Sequence, residues 1–99
     1  MKKTNSSTNG TSFHNVTIKT SVNKLISVLG EADCVENTGE DKVNFEWDLE
    51  TSEGDVVSLY DWKQYREIDL DETIEWHIGA HSKSVSNVAF NELKALLNK

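Results

Sequence analysis

Alternation of apolar and polar residues predicts four strands in this chain. The alternation is present in HNVTIKT, KVNFEWDLE and TIEWHIG, and DVVSLYDWK is expected to be a further strand although its two faces are mixed; all four segments are rich in β-branched and aromatic residues. The second segment alternates without interruption from Val43 to Glu50, so we expect Phe45 and Trp47 to anchor a hydrophobic core. The turn TSEG joins this strand to the next one, which indicates an antiparallel pair.

A helical spacing of apolar residues predicts two helices. The first follows Thr20 or Ser21 as its N-cap and ends at Gly30, with apolar residues at the i, i+3, i+4 and i+7 positions that include Leu25. The second occupies SKSVSNVAFNELKALLNK, with a serine at its start and Leu93 on its apolar face. The predicted order of elements is therefore β-α-β-β-β-α.

These elements predict a two-layer α+β domain, in which about four antiparallel strands carry two helices on one side. A chain of 99 residues has room for one domain, which we place at residues 12–99. Residues 1–11 contain no apolar residue after Met1, and we expect a disordered tail there. The segment EADCVENTGED is a connector that leaves room for a short strand at Cys34 and Val35, and QYREIDLDE is expected to be a polar loop.

The charge distribution excludes one class of partner. The chain has 17 acidic and 10 basic residues, a formal net charge of −7 at pH 7, and 16 of the acids lie between Glu31 and Glu75. Because nucleic acid binding depends largely on Lys and Arg displacing counterions, we expect no direct nucleic acid partner. Two interpretations of the acidity stay open: it promotes solubility, or it attracts a basic protein, including by mimicry of nucleic acid.

The remaining composition bears on location and cofactors. The single cysteine, Cys34, cannot form an internal disulfide, and the chain lacks a signal-like segment and the roughly 20 apolar residues of a membrane span. We therefore expect a cytoplasmic protein with no membrane partner. His77 and His81 are four residues apart, but the strand pattern and Gly79 argue against one helix carrying both, so we predict no metal and no cofactor. The oligomeric state is left open.

Polar and aromatic residues are densest in YDWKQY and EWHIGAHSK. Aromatic rings stack on planar groups, and a helix N-terminus with histidine and lysine beside it favours an anion. These two segments predict a site for a nucleotide-like ligand, with binding that tightens as pH falls through the ordinary histidine pKa of about 6.5. In the alternative interpretation both Trp62 and Trp76 are core residues and the histidines lie on the surface. The candidate ligand-binding residues are Tyr60, Trp62, Lys63, Trp76, His77, His81 and Lys83.

Two further hypotheses involve the acidic residues. Glu46, Asp48 and Glu50 point to one face of the most regular strand, where they would form an interaction surface for a basic protein. Asp48, with Asp61-Trp62-Lys63 on the next strand, is similar to the spaced acid and D-x-K pattern of metal-dependent nucleases. The D-x-K pattern arises easily in so acidic a chain, so the nuclease is the third hypothesis, and we predict no enzymatic activity.

The run from FHNVTIK through VVSLYDWK to EWHIGAHS resembles a family of small, functionally uncharacterised α+β proteins from bacteriophage genomes. These proteins typically carry a strand ending like Y-D/N-W/Y-K and a W-H-I-G-G-like strand, and the similarity covers about residues 13–97. Ala80 departs from the pattern at the second glycine. The resemblance implies an accessory protein in the host cytoplasm that disables a host factor or sequesters a host immune signal. The leading prediction is therefore a counter-defence protein that binds a nucleotide-like ligand, and the alternative is an acidic inhibitor of a basic host protein.

Overall fold

The computed structural model describes residues 1–98, which form an antiparallel sheet with two helices. The α+β class is thus confirmed, although the sheet has six strands where four were expected. The observed order is β-β-α-β-β-β-β-α. The elements are β1 (Lys2–Lys3), β2 (Ser12–Thr20), α1 (Val22–Leu29), β3 (Cys34–Val35), β4 (Phe45–Glu50), β5 (Val56–Tyr60), β6 (Ile74–Ala80) and α2 (Lys83–Leu97).

The strands are arranged in the order β1-β4-β5-β6-β2, and β3 pairs with the same strand, β4, as β1 does. One edge of β4 is therefore covered by two short strands. At the opposite end of the sheet, β6 is the one strand that pairs with β2 within residues 1–98. A register shift between Phe13 and Thr17 marks a bulge in β2, where Asn15 has a positive φ of 63°.

Residues 1–11, which were expected to form a disordered tail, supply strand β1. Lys2 and Lys3 pair with β4, and the Thr4 backbone N–H donates to the Asp48 carbonyl oxygen at 3.0 Å. The Met1 ammonium lies 2.9 Å from a carboxylate oxygen of Glu92. The expectation was wrong because it rested only on the low apolar content of this segment. Hydrogen bonds between the backbones of neighbouring strands, and an ion pair, need no apolar side chain.

The strands of the sheet are amphipathic as the alternation predicts. Phe45 and Trp47 are buried on the face that carries the helices, and Leu25 of α1 and Leu93 of α2 are fully buried against that face. The indole N–H of Trp47 donates to the carbonyl oxygen of Gly30 at 2.9 Å, which joins the end of α1 to β4. These contacts confirm the predicted core.

The helix caps also follow the sequence signals. The side chain of Ser21 accepts a hydrogen bond from the Lys24 backbone N–H, and Ser82 accepts one from that of Val85. Gly30 ends α1 with a φ of 85°, a conformation that favours glycine. No helix within residues 1–98 has the length and apolarity that crossing a bilayer requires.

The loop QYREIDLDE contributes a core residue that its polar composition conceals. Ile68 is 1% exposed. Both of its backbone groups bond to the side chain of Asn37, at 2.7 Å for the Ile68 N–H and 2.9 Å for its carbonyl oxygen. The loop after β5 is thereby attached to the connector before β4, and both segments lie beside the candidate site.

Candidate functional site

Four rings form a cluster on the face of the sheet opposite the helices. We call Phe13, Tyr60, Trp62 and His77 the aromatic cluster. Tyr60 and His77 are direct partners in the β5–β6 ladder, and their ring centroids are 5.6 Å apart. Phe13 stacks on His77 with a centroid distance of 3.9 Å, and Trp62 lies on His77 at 6.2 Å with 28° between the ring planes. Strand alternation produces the cluster, because Tyr60 and His77 point away from the core.

Gly79 gives these rings space. A Cβ at this position would lie 2.5 Å from Ser58 Oγ and 3.5 Å from Cε1 of Tyr60. It would also lie 3.7 Å from Oγ1 of Thr11, so the N-terminal segment contacts the outer face here. A side chain at residue 79 would displace Ser58, which is buried although it faces away from the core.

Two lysines lie near the exposed ring of the cluster. Trp62 is 38% exposed, and the Nζ atoms of Lys42 and Lys63 are 5.9 and 5.6 Å from its ring centroid. These distances are those of cation–π interactions. Positive charge thus lies over the Trp62 ring, in a chain whose net charge is negative.

The loops that carry these lysines are held by Asp61. This residue is fully buried, and its Oδ1 accepts hydrogen bonds from the backbone N–H groups of Asn44 and Phe45, both at 2.8 Å. Its Oδ2 has no partner within the described residues. Burial raises the pKa of Asp61, while the backbone hydrogen bonds act in the opposite direction. Asp61 thus fixes the backbone between Lys42 and strand β4 and serves as a structural anchor for the site.

His77 is half-buried among the rings. Burial lowers its pKa, and the nearby charge of Glu75 only partly opposes the shift. His77 is therefore neutral at pH 7 and presents a flat, uncharged ring to Phe13 and Trp62. Protonation of His77 therefore requires a lower pH than protonation of an ordinary histidine, whose pKa is about 6.5.

Three of the predicted site residues lie outside the cluster. Trp76 is fully buried on the helix side, where its indole N–H donates to the Thr20 carbonyl oxygen at 3.0 Å and its ring meets that of Trp47 edge-on. Its assignment to the ligand site was wrong, because neighbours in a strand point to opposite faces and His77 points outward. His81 and Lys83 follow the far end of β6, about 10 Å of strand beyond His77. The structure brings Tyr60, Trp62, Lys63 and His77 together.

The predicted acidic surface lies beside the cluster on β4. Burial raises the pKa of Glu46 to about 7, helped by a hydrogen bond with Asp48 and by the charges of Asp48 and Asp33. The Lys2 ammonium lies 3.4 Å from a carboxylate oxygen of Glu50. Protonation of Glu46 and the ion pair with β1 both reduce the negative charge that this surface presents to a partner.

The nuclease hypothesis requires Asp48 and Asp61 to share a metal. Asp48 faces outward with Ser58, its ladder partner, whereas Asp61 continues the inward series of Val57 and Leu59. Within residues 1–98, no group of three or more acidic, histidine or cysteine residues is arranged to hold a metal ion. The two carboxylates therefore face opposite sides of the sheet, which does not support a shared metal site.

Sequence reasoning missed Phe13 and Lys42. Phe13 reaches His77 only because of the bulge at Asn15, and Lys42 approaches Trp62 from a connector that contains no motif. The position of Phe13 at the start of an alternating strand was the one available signal. Comparisons with family models, curated proteins and solved structures give no match to this chain.

Proposed function

We propose that this is a non-enzymatic binding protein that holds a nucleotide-like ligand against the aromatic cluster, and that it serves a bacteriophage as a counter-defence factor sequestering such a signal in the host cytoplasm. One observation carries the proposal. Trp62, an exposed ring stacked over His77, has two lysine ammonium groups within 6 Å of its centroid. A planar base and an anionic phosphate are the two chemical features that such a site recognises.

The energetics favour this ligand class. Stacking of a base on an aromatic side chain contributes about 1–3 kcal/mol and tolerates different bases. Lys42 and Lys63 are exposed cations that can bind phosphate oxygens without first breaking a salt bridge, since within the described residues neither lies in one. Binding needs no reacting group, so sequestration requires only that dissociation be slow.

The acidic surface supports the alternative, inhibition of a basic host protein, less well. Glu46 is partly protonated near pH 7, and the chain's own Lys2 lies against Glu50. Charge-driven attraction of a basic partner is weaker when the surface is partly neutralised in these ways. We therefore rank the ligand-binding function first.

Calorimetric titration with mono-, di- and cyclic nucleotides tests the proposal. We expect Trp62→Ala to weaken binding of the tightest nucleotide by at least about tenfold, which matches the loss of one stacking interaction. Tyr65→Ala is the matched control, because Tyr65 is an exposed aromatic residue of the same loop that lies outside the cluster. No heat with any nucleotide, or equal binding by the Trp62 and Tyr65 variants, would refute the proposed site.

A second experiment addresses the biological ligand. The protein is incubated in host lysate and recovered, and the small molecules released on denaturation are identified by mass spectrometry. We expect a nucleotide that is recovered with the wild type and lost with Trp62→Ala. Recovery of a basic host protein that is lost when Glu46, Asp48 and Glu50 are reversed in charge would favour the inhibitor instead.

A further inference from the structure

A cavity of about 370 Å³ lies between β2 and the C-terminal half of α2, away from the aromatic cluster. Its volume is at the lower end of those that bind small molecules or inserted side chains. Ile18, Phe90 and Leu97 supply its apolar lining, and Lys19 and Lys94 supply charge.

The residues that line the cavity show where it lies relative to the sheet. Three consecutive residues of β2, namely Thr17, Ile18 and Lys19, line it. Alternate side chains of a strand point to opposite faces, so a cavity that all three residues share must lie along the edge of the strand. This edge is the free one, since the described residues pair β2 only with β6.

The two edges of the sheet differ in whether a further strand covers them. Strands β1 and β3 cover the outer side of β4, whereas β2 keeps its backbone groups available beside the cavity. The bulge at Asn15 interrupts pairing in the first half of β2, but the register from Thr17 to Thr20 is regular. An exposed, regular edge is able to accept a further strand.

Two lysines beside this edge carry positive charge that the described part of the chain does not neutralise. Neither Lys19 nor Lys94 forms a salt bridge within residues 1–98, although the chain has 17 acidic residues. The ammonium of Lys94 lies 5.6 Å from the ring centroid of Phe90, at the rim of the cavity. Lys19 is exposed on the outward face of β2, where it faces the flanking position of an added strand.

We infer that the free edge of β2 binds an extended segment of a partner protein in which apolar and acidic side chains alternate. The backbone of the segment pairs with Thr17–Thr20, its apolar side chains enter the cavity on the helix side, and its carboxylates meet Lys19 on the opposite face. A second copy of this chain does not fit as well, because pairing of two β2 edges places lysines of the same sign on both sides of the interface.

The test uses capped synthetic peptides. The first alternates valine and glutamate, the second alternates valine and lysine, and the third repeats the first with N-methyl groups on the backbone nitrogens that would pair with β2. We expect the first peptide to bind and to slow amide hydrogen exchange at those residues between Thr17 and Thr20 whose N–H groups point away from β6. The second and third should bind at least about tenfold more weakly, because they lose charge complementarity and ladder hydrogen bonds respectively.

Charge reversal in the protein supplies the control. Lys19→Glu should weaken binding of the glutamate peptide and strengthen binding of the lysine peptide, each by about tenfold. Lys83→Glu reverses a charge at the start of α2, about 16 Å from Lys94, and should not change the affinity for either peptide. Circular dichroism establishes that both variants fold.

Three results would overturn the inference. They are equal binding of the glutamate and lysine peptides, undiminished binding of the N-methylated peptide, and binding of sodium decanoate where no peptide binds. The last result would assign the cavity to a small amphipathic anion.

Discussion

The backbone N–H of Lys63 donates a hydrogen bond to the carbonyl oxygen of Lys42 across a distance of 2.8 Å. This bond joins the loop after β5 to the segment before β4, and it places both ammonium groups near the ring of Trp62. Lys63 adopts a positive φ of 54°, which is uncommon for a residue with a side chain. The cationic part of the proposed site is thus positioned by the backbone.

The lysines should distinguish phosphorylated ligands from neutral ones. We expect Lys42→Ala and Lys63→Ala each to weaken nucleotide binding by about threefold to tenfold and to leave nucleoside binding nearly unchanged, because only the nucleotide carries phosphate. Calorimetry at low and high salt measures both ligands. Lys24→Ala, which removes an exposed lysine of α1, is the control, and an equal loss of nucleoside and nucleotide affinity would contradict the assignment.

Asp61 should matter more for stability than its position in a D-x-K pattern suggests. Asp61→Ala leaves the buried N–H groups of Asn44 and Phe45 without an acceptor, at about 1–3 kcal/mol for each group. Asp61→Asn retains an oxygen acceptor and should lose less. Urea denaturation measures the free energy of unfolding, and an alanine variant as stable as the wild type would show that the carboxylate is not an anchor.

Glu46 should make stability depend on pH. Its pKa is about 7 in the folded protein and about 4.3 in an unfolded chain, so the folded state binds the proton more tightly. This contribution is fully present below the unfolded value and is lost as pH rises through about 7. We therefore expect Glu46→Gln to raise the melting temperature at pH 8 and to change it much less at pH 5.

The matched control for this pH effect is Glu50→Gln on the same strand and face, where the carboxylate is paired with Lys2. This variant should give no gain in melting temperature at pH 8. A melting temperature difference for Glu46→Gln that is the same at both pH values would show that Glu46 does not hold a proton in the folded state.

The N-terminal segment should contribute to stability. Deleting residues 1–4 removes strand β1 and the ion pair with Glu92, and we expect the melting temperature to fall by several degrees. In a domain of this size about 1 kcal/mol shifts the midpoint by roughly 4–8 °C. Lys2→Ala removes only an exposed side chain and its surface ion pair with Glu50, and should have little effect. A deletion variant with the same melting temperature as the wild type would instead support a disordered N-terminal tail.

The sequence predicted the longer elements because burial of one face imposes a period on them. Trp47 and Leu93 could be assigned to the core from that period alone. The two-residue strands β1 and β3 are too short to show any period: β1 was missed, whereas β3 lies at Cys34 and Val35, where the sequence left room for a short strand. The burial of Ile68 was also missed, because it depends on hydrogen bonds to the side chain of Asn37, which is distant in the sequence.

The candidate site was predictable in part. Alternation places His77 outward and Trp76 inward, so the sequence already contained the reason to separate these neighbours. The contact between Phe13 and His77 depends on the bulge at Asn15, and the contact between Lys42 and Trp62 depends on a loop-to-loop hydrogen bond. Both are tertiary relationships that no local pattern specifies.

The central claim, that a nucleotide stacks on the aromatic cluster, is tested most directly by the three indole N–H signals in a nuclear magnetic resonance titration. Trp47 and Trp76 are fully buried and donate their indole N–H groups to backbone carbonyls, so they are internal controls for Trp62. We predict that added nucleotide shifts the Trp62 signal in a saturable manner and leaves the other two in place. An unchanged Trp62 signal at saturating nucleotide, or equal shifts of all three signals, would contradict the claim.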